Sequence, residues 1–415
     1  MYLREFVTPR QVPQYSKTIS PGKHCPLFGV GAVFSGIQDV TLIYIGTQDC
    51  VYYAKLETLH QQQGKGGSRI LAVQLSDSDV IFGIRPQLED LLDREANRPG
   101  TKAVFLVTSC SLEVLSEDLQ SVVNTVAART GKTITLIPTE NFKTFSYFQG
   151  MEQALAALTG CVRPALKKPR HFAVLGARHP GAAQSEPVRY LLAQGYQLDS
   201  ILPYDITMDK LEALSQVEFA LVLDGTGLET GKKLQKLYDI PYIRFDQKLN
   251  LNATISAWKS LGTLTGNNVQ PFINENLEAI RTLVDDLRPQ LTGKIFFYSQ
   301  VILYPFETCL FLTQLGMIPT VIFLGSVIDQ DDFSRQALEA LANPRMLQNA
   351  SSQAVEAMLA QCPPDYFIGA VGSILDQYPT IHVNLKTRPV EAGFSFYRNC
   401  LNQLAESLQS GRDAG

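Results

Sequence analysis

One unit recurs along the chain and constrains its fold more than any other feature: a short Val-, Ile- and Phe-rich run, a loop, then a helical pattern. "KAVFLVTS" (102–109) precedes "LEVLSEDLQSVVNTVAAR", whose apolar spacing is close to the helical 3.6. "HFAVLG" (171–176) precedes "EPVRYLLAQGYQ", and "VEFALVLDG" (217–225) precedes "GKKLQKLYDIPYIRF". "KIFFYSQ" (294–300) precedes "FETCLFLTQLGMIPTVIFLG". Strands alternating with helices imply parallel sheets covered on both faces, so an α/β class is expected. Two segments, "LLAQGYQLDSILP" and "FLTQLGMIPTVIF", share a helix, a glycine turn and a following strand. They suggest a repeated doubly wound unit.

The 415 residues suffice for two or three cores. Boundaries fall best at the basic, Pro-containing "RPALKKPR" (163–170) and the polar "TLTGNNVQP" (263–271). Three Rossmann-like domains are therefore expected, over 1–165, 166–265 and 266–415. "HQQQGKGGSR" (60–69) has the composition of a flexible loop. A formal charge of −4 gives no reason to expect nucleic acid or an anionic membrane as partner. The start is polar and Pro-broken, and no apolar run approaches the roughly 18 residues of a membrane span, so a soluble, cytoplasmic chain is expected.

Several motifs have ordinary readings. "DGTGLETGKK" (224–233) follows a strand and opens a helix like a phosphate-binding turn, but it departs from the P-loop at Thr226 and after Lys232. A plain tight turn is the favoured reading. The five histidines show no metalloprotease spacing, and no G-x-S-x-G elbow is present. Cys161, Cys309, Cys362 and Cys400 lie in or beside apolar helical patterns and read as packed thiols.

Cys25, Cys50 and Cys110 differ. Each stands at a loop, at the edge of an apolar segment: Cys25 before Pro26, Cys50 ending "VTLIYIGTQD", and Cys110 ending "KAVFLVTS". Carboxyl ends of parallel strands converge on one edge, where ligands bind. Three thiolates at such an edge suit an iron–sulfur cluster, although their spacing matches no ferredoxin or zinc-knuckle pattern. Buried thiols and metal ligands both remain open from the residues alone.

The residues around these cysteines carry a resemblance. "CPLFGVGAVFSGIQDVTLIYIGTQDCVYYAK", "DVIFGIRPQLEDLL" and "TSCSLEVLSEDL" together resemble the component 1 proteins of the nitrogenase family. The order is similar: a Cys and Gly-rich helix, G-[ST]-Q-x-C, an F-G loop, then T-[ST]-C-x-x-E-x-x-x-[DE]-D-L. The resemblance implies the three-domain fold of that family. It also implies that Cys25, Cys50 and Cys110 hold one side of an iron–sulfur cluster, of [8Fe-7S] or [4Fe-4S] type, shared with a partner subunit. Gly29, Gly31 and Gly46 are then expected to let backbone approach the cluster.

"GTQDC" resembles the beta-type subunit more than the alpha-type. The alpha-type cofactor ligands would fall near Asp224 and Arg388, where this chain has neither thiol nor imidazole, although His382 lies close by in sequence. A beta-type serine that assists the cluster would fall near Asn141. The resemblance thus implies an oxidoreductase subunit relaying low-potential electrons from an ATP-dependent iron–sulfur reductase. The acceptor would be a catalytic metallocofactor in an alpha-type partner, as an α2β2 heterotetramer, and methylthio-alkane reductase is the named case favoured. A cofactor-maturation scaffold of the same family is the alternative. A homodimer, and a small-molecule binding protein with seven structural cysteines, also remain open.

Overall fold

The structure is a computed structural model. It describes residues 1–5, 25–62, 67–139, 146–299, 304–325, 331–348, 350–370, 373–385 and 391–413. Asn141, Arg388 and the loop centre at 63–66 lie outside the described residues. The architecture is α/β, with three all-parallel sheets flanked by helices. The chain divides into two compact units: Pro21–Arg244 carries two sheets, and Phe245–Gly415, with the amino-terminal residues, carries the third.

The first sheet has the order β2-β1-β3-β4, from β1 (Val40–Gly46), β2 (Arg69–Gln74), β3 (Ala103–Thr108) and β4 (Thr133–Pro138). Every residue of β1 and β3 is buried, as expected of central strands covered on both faces. Leu42 and Tyr44 join a core on one face, while Ile43 and Ile45 join a second core on the other. The helices of this region are α1 (Pro26–Phe34), α2 (Gln48–Gln62), α3 (Asp77–Phe82), α4 (Arg85–Ala96), α5 (Cys110–Leu115), α6 (Leu119–Thr130) and α7 (Tyr147–Leu158). The expected single helix after β3 is in fact two. Ser116 takes a left-handed conformation (φ 54°) and ends α5, and the Asp118 side chain then caps α6 through the Ser121 N–H at 3.1 Å.

α1 is buried along its whole length, which demands close partners on all sides. Glycines supply the room. A Cβ on Gly29 would collide with the Tyr147 carbonyl oxygen, and one on Gly150 would collide with the Pro26 carbonyl oxygen. The backbones of α1 and α7 are therefore in direct contact.

The second sheet repeats the topology as β6-β5-β7-β8, from β5 (His171–Ala177), β6 (Gln197–Pro203), β7 (Phe219–Val222) and β8 (Tyr242–Arg244). Its helices are α8 (Glu186–Ala193), α9 (Met208–Glu212) and α10 (Leu228–Tyr238). Its apolar residues are continuous with the first core.

The third sheet has the order β11-β10-β9-β12-β13. Helices α11 (Leu251–Thr265) and α12 (Gln270–Leu291) lead into β9 (Ile295–Ser299), α13 (Pro305–Gln314) and β10 (Ile318–Leu324). Then follow α14 (Asp332–Leu341), β11 (Arg345–Gln348), α15 (Ser352–Gln361), β12 (Tyr366–Ile368), β13 (Ile381–Val383) and α16 (Phe394–Asp413). The two similar segments adopt the same turn: Gly195 (φ 81°) between α8 and β6, and Gly316 (φ 96°) between α13 and β10.

The α1–α7 contact is testable. Gly150→Ala should cost about 1–3 kcal/mol through overpacking. Gly160→Ala, where an added Cβ meets nothing within 4 Å, should stay within about 0.5 kcal/mol of the parent. Urea denaturation of both variants checks the difference; equal midpoints would contradict the backbone contact.

Candidate metal centre

All three cysteines stand at helix starts. Cys25 is the N-cap of α1, Cys50 lies in the first turn of α2, and Cys110 is the first residue of α5. For Cys50 this corrects the expectation of a strand end: β1 stops at Gly46, and Gln48 already opens the helix. Helix starts present unpaired N–H groups and a positive dipole end, so thiolates and other anions are favoured there.

The sheet order explains why they meet. In β2-β1-β3-β4 the winding reverses between β1 and β3, the position where open α/β sheets bind ligands. Ile45 pairs in register with Thr108, and the Ser109 N–H donates to the Ile45 carbonyl at 2.9 Å, so both strands end at the same level. Cys50 follows one strand and Cys110 the other, and α1 brings Cys25 to them. All three are free, half-buried thiols. Burial pushes the Cys25 thiol up to about 11, and the charges of Cys110 and Cys50 push the same way; the Leu27 and Phe28 N–H groups oppose this.

Among the described residues, no group of three His, Cys, Asp or Glu side chains is gathered closely enough for a single metal ion. Three free thiols, two of which act electrostatically on the third, Cys25, are a donor set of the kind that holds an iron–sulfur cluster. The donor chemistry, all sulfur, therefore fits such a cluster.

The glycines of this region pack closely against neighbouring elements. Gly29 accommodates the α7 backbone, and Gly31 accommodates the hydroxyls of Tyr44 and Thr58. Gly46 accommodates the Ser109 hydroxyl, one residue before Cys110. Each seats a cysteine-bearing element by close packing. Tyr44 and Thr58 hydrogen-bond at 2.9 Å in the core, where burial raises the Tyr44 pKa.

The acidic residues after Cys110 have structural tasks that sequence reasoning did not assign. Glu113 accepts from the Thr108 hydroxyl at the end of β3. Glu117 accepts from the backbone N–H groups of Ile84 (3.0 Å) and Arg85 (3.2 Å), closing the start of α4. It thereby holds the F-G loop, where Gly83 takes a φ of 86°. Beside this loop Ile81 and Phe82 are 72% and 83% exposed, and Val114 on α5 is 70% exposed. On α2, Tyr52, Leu56 and Leu59 form a further exposed apolar stripe at helical spacing.

The remaining motifs resolve simply. In the glycine turn, Asp224 accepts from the Thr226 N–H (3.0 Å) and hydroxyl (2.7 Å), and Gly227 packs against Gly176. His382 is held to the Gly369 carbonyl at 2.7 Å. Cys161, Cys309 and Cys400 are buried as expected, but Cys362 is exposed, because α15 ends at Gln361 and releases the chain.

Comparison with known proteins followed the same line. The family model described as nitrogenase component 1 type oxidoreductase matches residues 25–396. A component of the light-independent protochlorophyllide reductase of Heliobacterium modesticaldum is 24% identical over 306 residues, 70% of this chain. The match spans 58% of that relative's own length. The nitrogenase molybdenum-iron protein beta chain of Methanococcus maripaludis is 22% identical over 394 residues, covering 85% of this chain and 83% of that one. The solved structure "Nitrogenase Cp1 at pH 6.5" superposes with a TM-score of 0.74 at 15% identity, covering 96% of this chain and 95% of that one.

The raised Cys25 pKa makes a prediction for the metal-free chain. At about pH 8, a shift from 9.0 to about 11 leaves about a hundredfold less thiolate. Each thiolate is severalfold more nucleophilic, so iodoacetamide should label Cys25 about tenfold more slowly than an unshifted thiol. The rate should still be rising at about pH 10. Peptide mass spectrometry reads this; a rate that no longer rises above about pH 10 would contradict the burial.

Proposed function

From a chain that belongs to the nitrogenase component 1 type oxidoreductase family, we propose a beta-type subunit of a nitrogenase-like reductase. The observation that carries this is the meeting of Cys25, Cys50 and Cys110 at the β1/β3 switch point, each at a helix start. The proposed cofactor is an iron–sulfur cluster, [8Fe-7S] or [4Fe-4S], which supplies one-electron chemistry at low potential.

Within this reading the chain's residues bind and position. The three thiols lose their protons on ligation, which for Cys25 removes a buried thiol that resists ionisation by itself. The starts of α1 and α2 present N–H groups toward accumulated negative charge. Three thiolates leave a four-iron cubane one ligand short, which favours a partner subunit contributing cysteine across a shared interface. The exposed stripe of α2 suits that alpha-type partner, and the exposed Ile81 and Phe82 of α3 suit an ATP-dependent iron–sulfur reductase. By the family resemblance an alpha-type cofactor thiol would fall near Asp224, which supports assigning the substrate-reducing metallocofactor to the partner. Methylthio-alkanes are the proposed substrates.

Anaerobic co-purification followed by turnover tests the proposal. A second, different subunit and methanethiol release from a methylthio-alkane, dependent on the reductase and ATP, are expected. Iron without a different subunit, or release of a cofactor without substrate turnover, would reject the relay assignment and favour a homodimer or a maturation scaffold respectively. Phe82→Ala should slow reductase-dependent turnover about tenfold or more while leaving iron content and melting temperature unchanged. Unaltered turnover would remove the α3 patch from the docking surface.

A further inference from the structure

The third sheet carries a cavity of about 330 Å³ that none of the chemistry above uses. Its floor is one row across the sheet. Val321 pairs in register with Phe297 on one side and with Arg345 on the other, so these three side chains share a face. Met358 and Cys362, at the end of α15, form one wall, and Tyr2 forms another. A β-bulge opens the space. The β9/β10 register slips between Pro319 and Val321, and Thr320 turns its hydroxyl to the Phe296 carbonyl at 3.3 Å.

Arg345 gives the cavity its chemistry. Among the described residues it has no carboxylate partner, and its guanidinium hydrogen bond goes to the Met358 sulfur at 3.6 Å. A thioether is a weak acceptor for a cation that binds carboxylates through two parallel hydrogen bonds. Beneath it, Phe297 and Val321 are buried in the core, 1% and 6% exposed, and close the floor with apolar atoms. Met358 can adjust its shape. The volume lies at the small end of the roughly 300–1,000 Å³ range of ligand sites.

We propose that this cavity binds a small monocarboxylate with an apolar body, the carboxylate on Arg345 and the body over the Phe297–Val321 floor, against Met358. The amino-terminal residues would sense occupancy. Tyr2 bridges Arg345 in antiparallel fashion, the Leu3 N–H donates to the Pro344 carbonyl at 3.0 Å, and the Met346 N–H donates to the Met1 carbonyl at 2.8 Å. A bound molecule would rest against this strap. The inference stands independently of the cysteine centre and of the reductase reading.

The test uses the purified full chain, with its partner subunit if one co-purifies. The probes are 3-phenylpropionate, its uncharged amide and phenyl phosphate. Calorimetry should show saturable binding of 3-phenylpropionate, with the amide at least tenfold weaker. N-ethylmaleimide labelling of Cys362, followed by peptide mass spectrometry, should slow severalfold when the carboxylate is bound. Arg345→Gln should weaken binding at least tenfold and abolish the protection, with Arg345→Lys retaining part of it. Should the Gln variant fail to fold, Met358→Trp, which fills the cavity, should abolish binding instead. No saturation below about 10 mM, equal binding of the amide, preference for phenyl phosphate, or undiminished binding by a folded Arg345→Gln variant would each overturn the proposal.

Discussion

The backbone contact between α1 and α7 is the constraint on which the amino-terminal region depends. α1 contains no charged residue and is buried along its length, so it cannot be accommodated at a surface. Gly29 on one helix and Gly150 on the other allow their backbones to touch, and Gly31 admits the Tyr44–Thr58 pair on another side. With α1 wedged in this way, its first residue cannot drift. Cys25 is held where β1 and β3 release the chain into α2 and α5. Helix packing, not a loop, therefore places this thiol.

Electrostatics then gives that placement a consequence. A thiol pushed up to about 11 by burial is a poor anion by itself, and its two neighbours make ionisation harder still. In the proposed cluster, ligation to iron would supply the positive charge that offsets burial, and helix starts would help with the rest. The same balance accounts for the motif after Cys110. Glu113 and Glu117 are committed to the Thr108 hydroxyl and to the Ile84 and Arg85 N–H groups, fixing the strand end and the F-G loop. They remain structural supports, while Phe82 beside the loop stays exposed.

Much of this was legible in the sequence because it rests on periodicity and local chemistry. Buried parallel strands read as apolar runs, and Gly195 and Gly316 announced equivalent turns before β6 and β10. The three cysteines stood out because each borders an apolar element. What escaped reading depends on contacts between distant segments. Gly29 and Gly46 were legible as special, but only the fold shows that their missing side chains accommodate Tyr147 and Ser109. Cys50 moved from strand to helix because nothing in "GTQDC" marks where the ladder stops. Cys362 looked packed by its neighbours, yet α15 ends one residue earlier. Arg345 carried no local signal at all; its lack of an acidic partner among the described residues appears only once β10, β11 and α15 are assembled.

The central claim is that Cys25, Cys50 and Cys110 jointly hold a multi-iron cluster. Iron K-edge X-ray absorption on the anaerobically purified protein, beside a Cys50→Ala variant, tests it most directly. Sulfur-ligated iron with iron–iron scattering in the parent, lost or sharply reduced in the variant, is the predicted result. Iron-free parent protein, isolated iron without iron–iron scattering, or an unchanged spectrum in Cys50→Ala would contradict it.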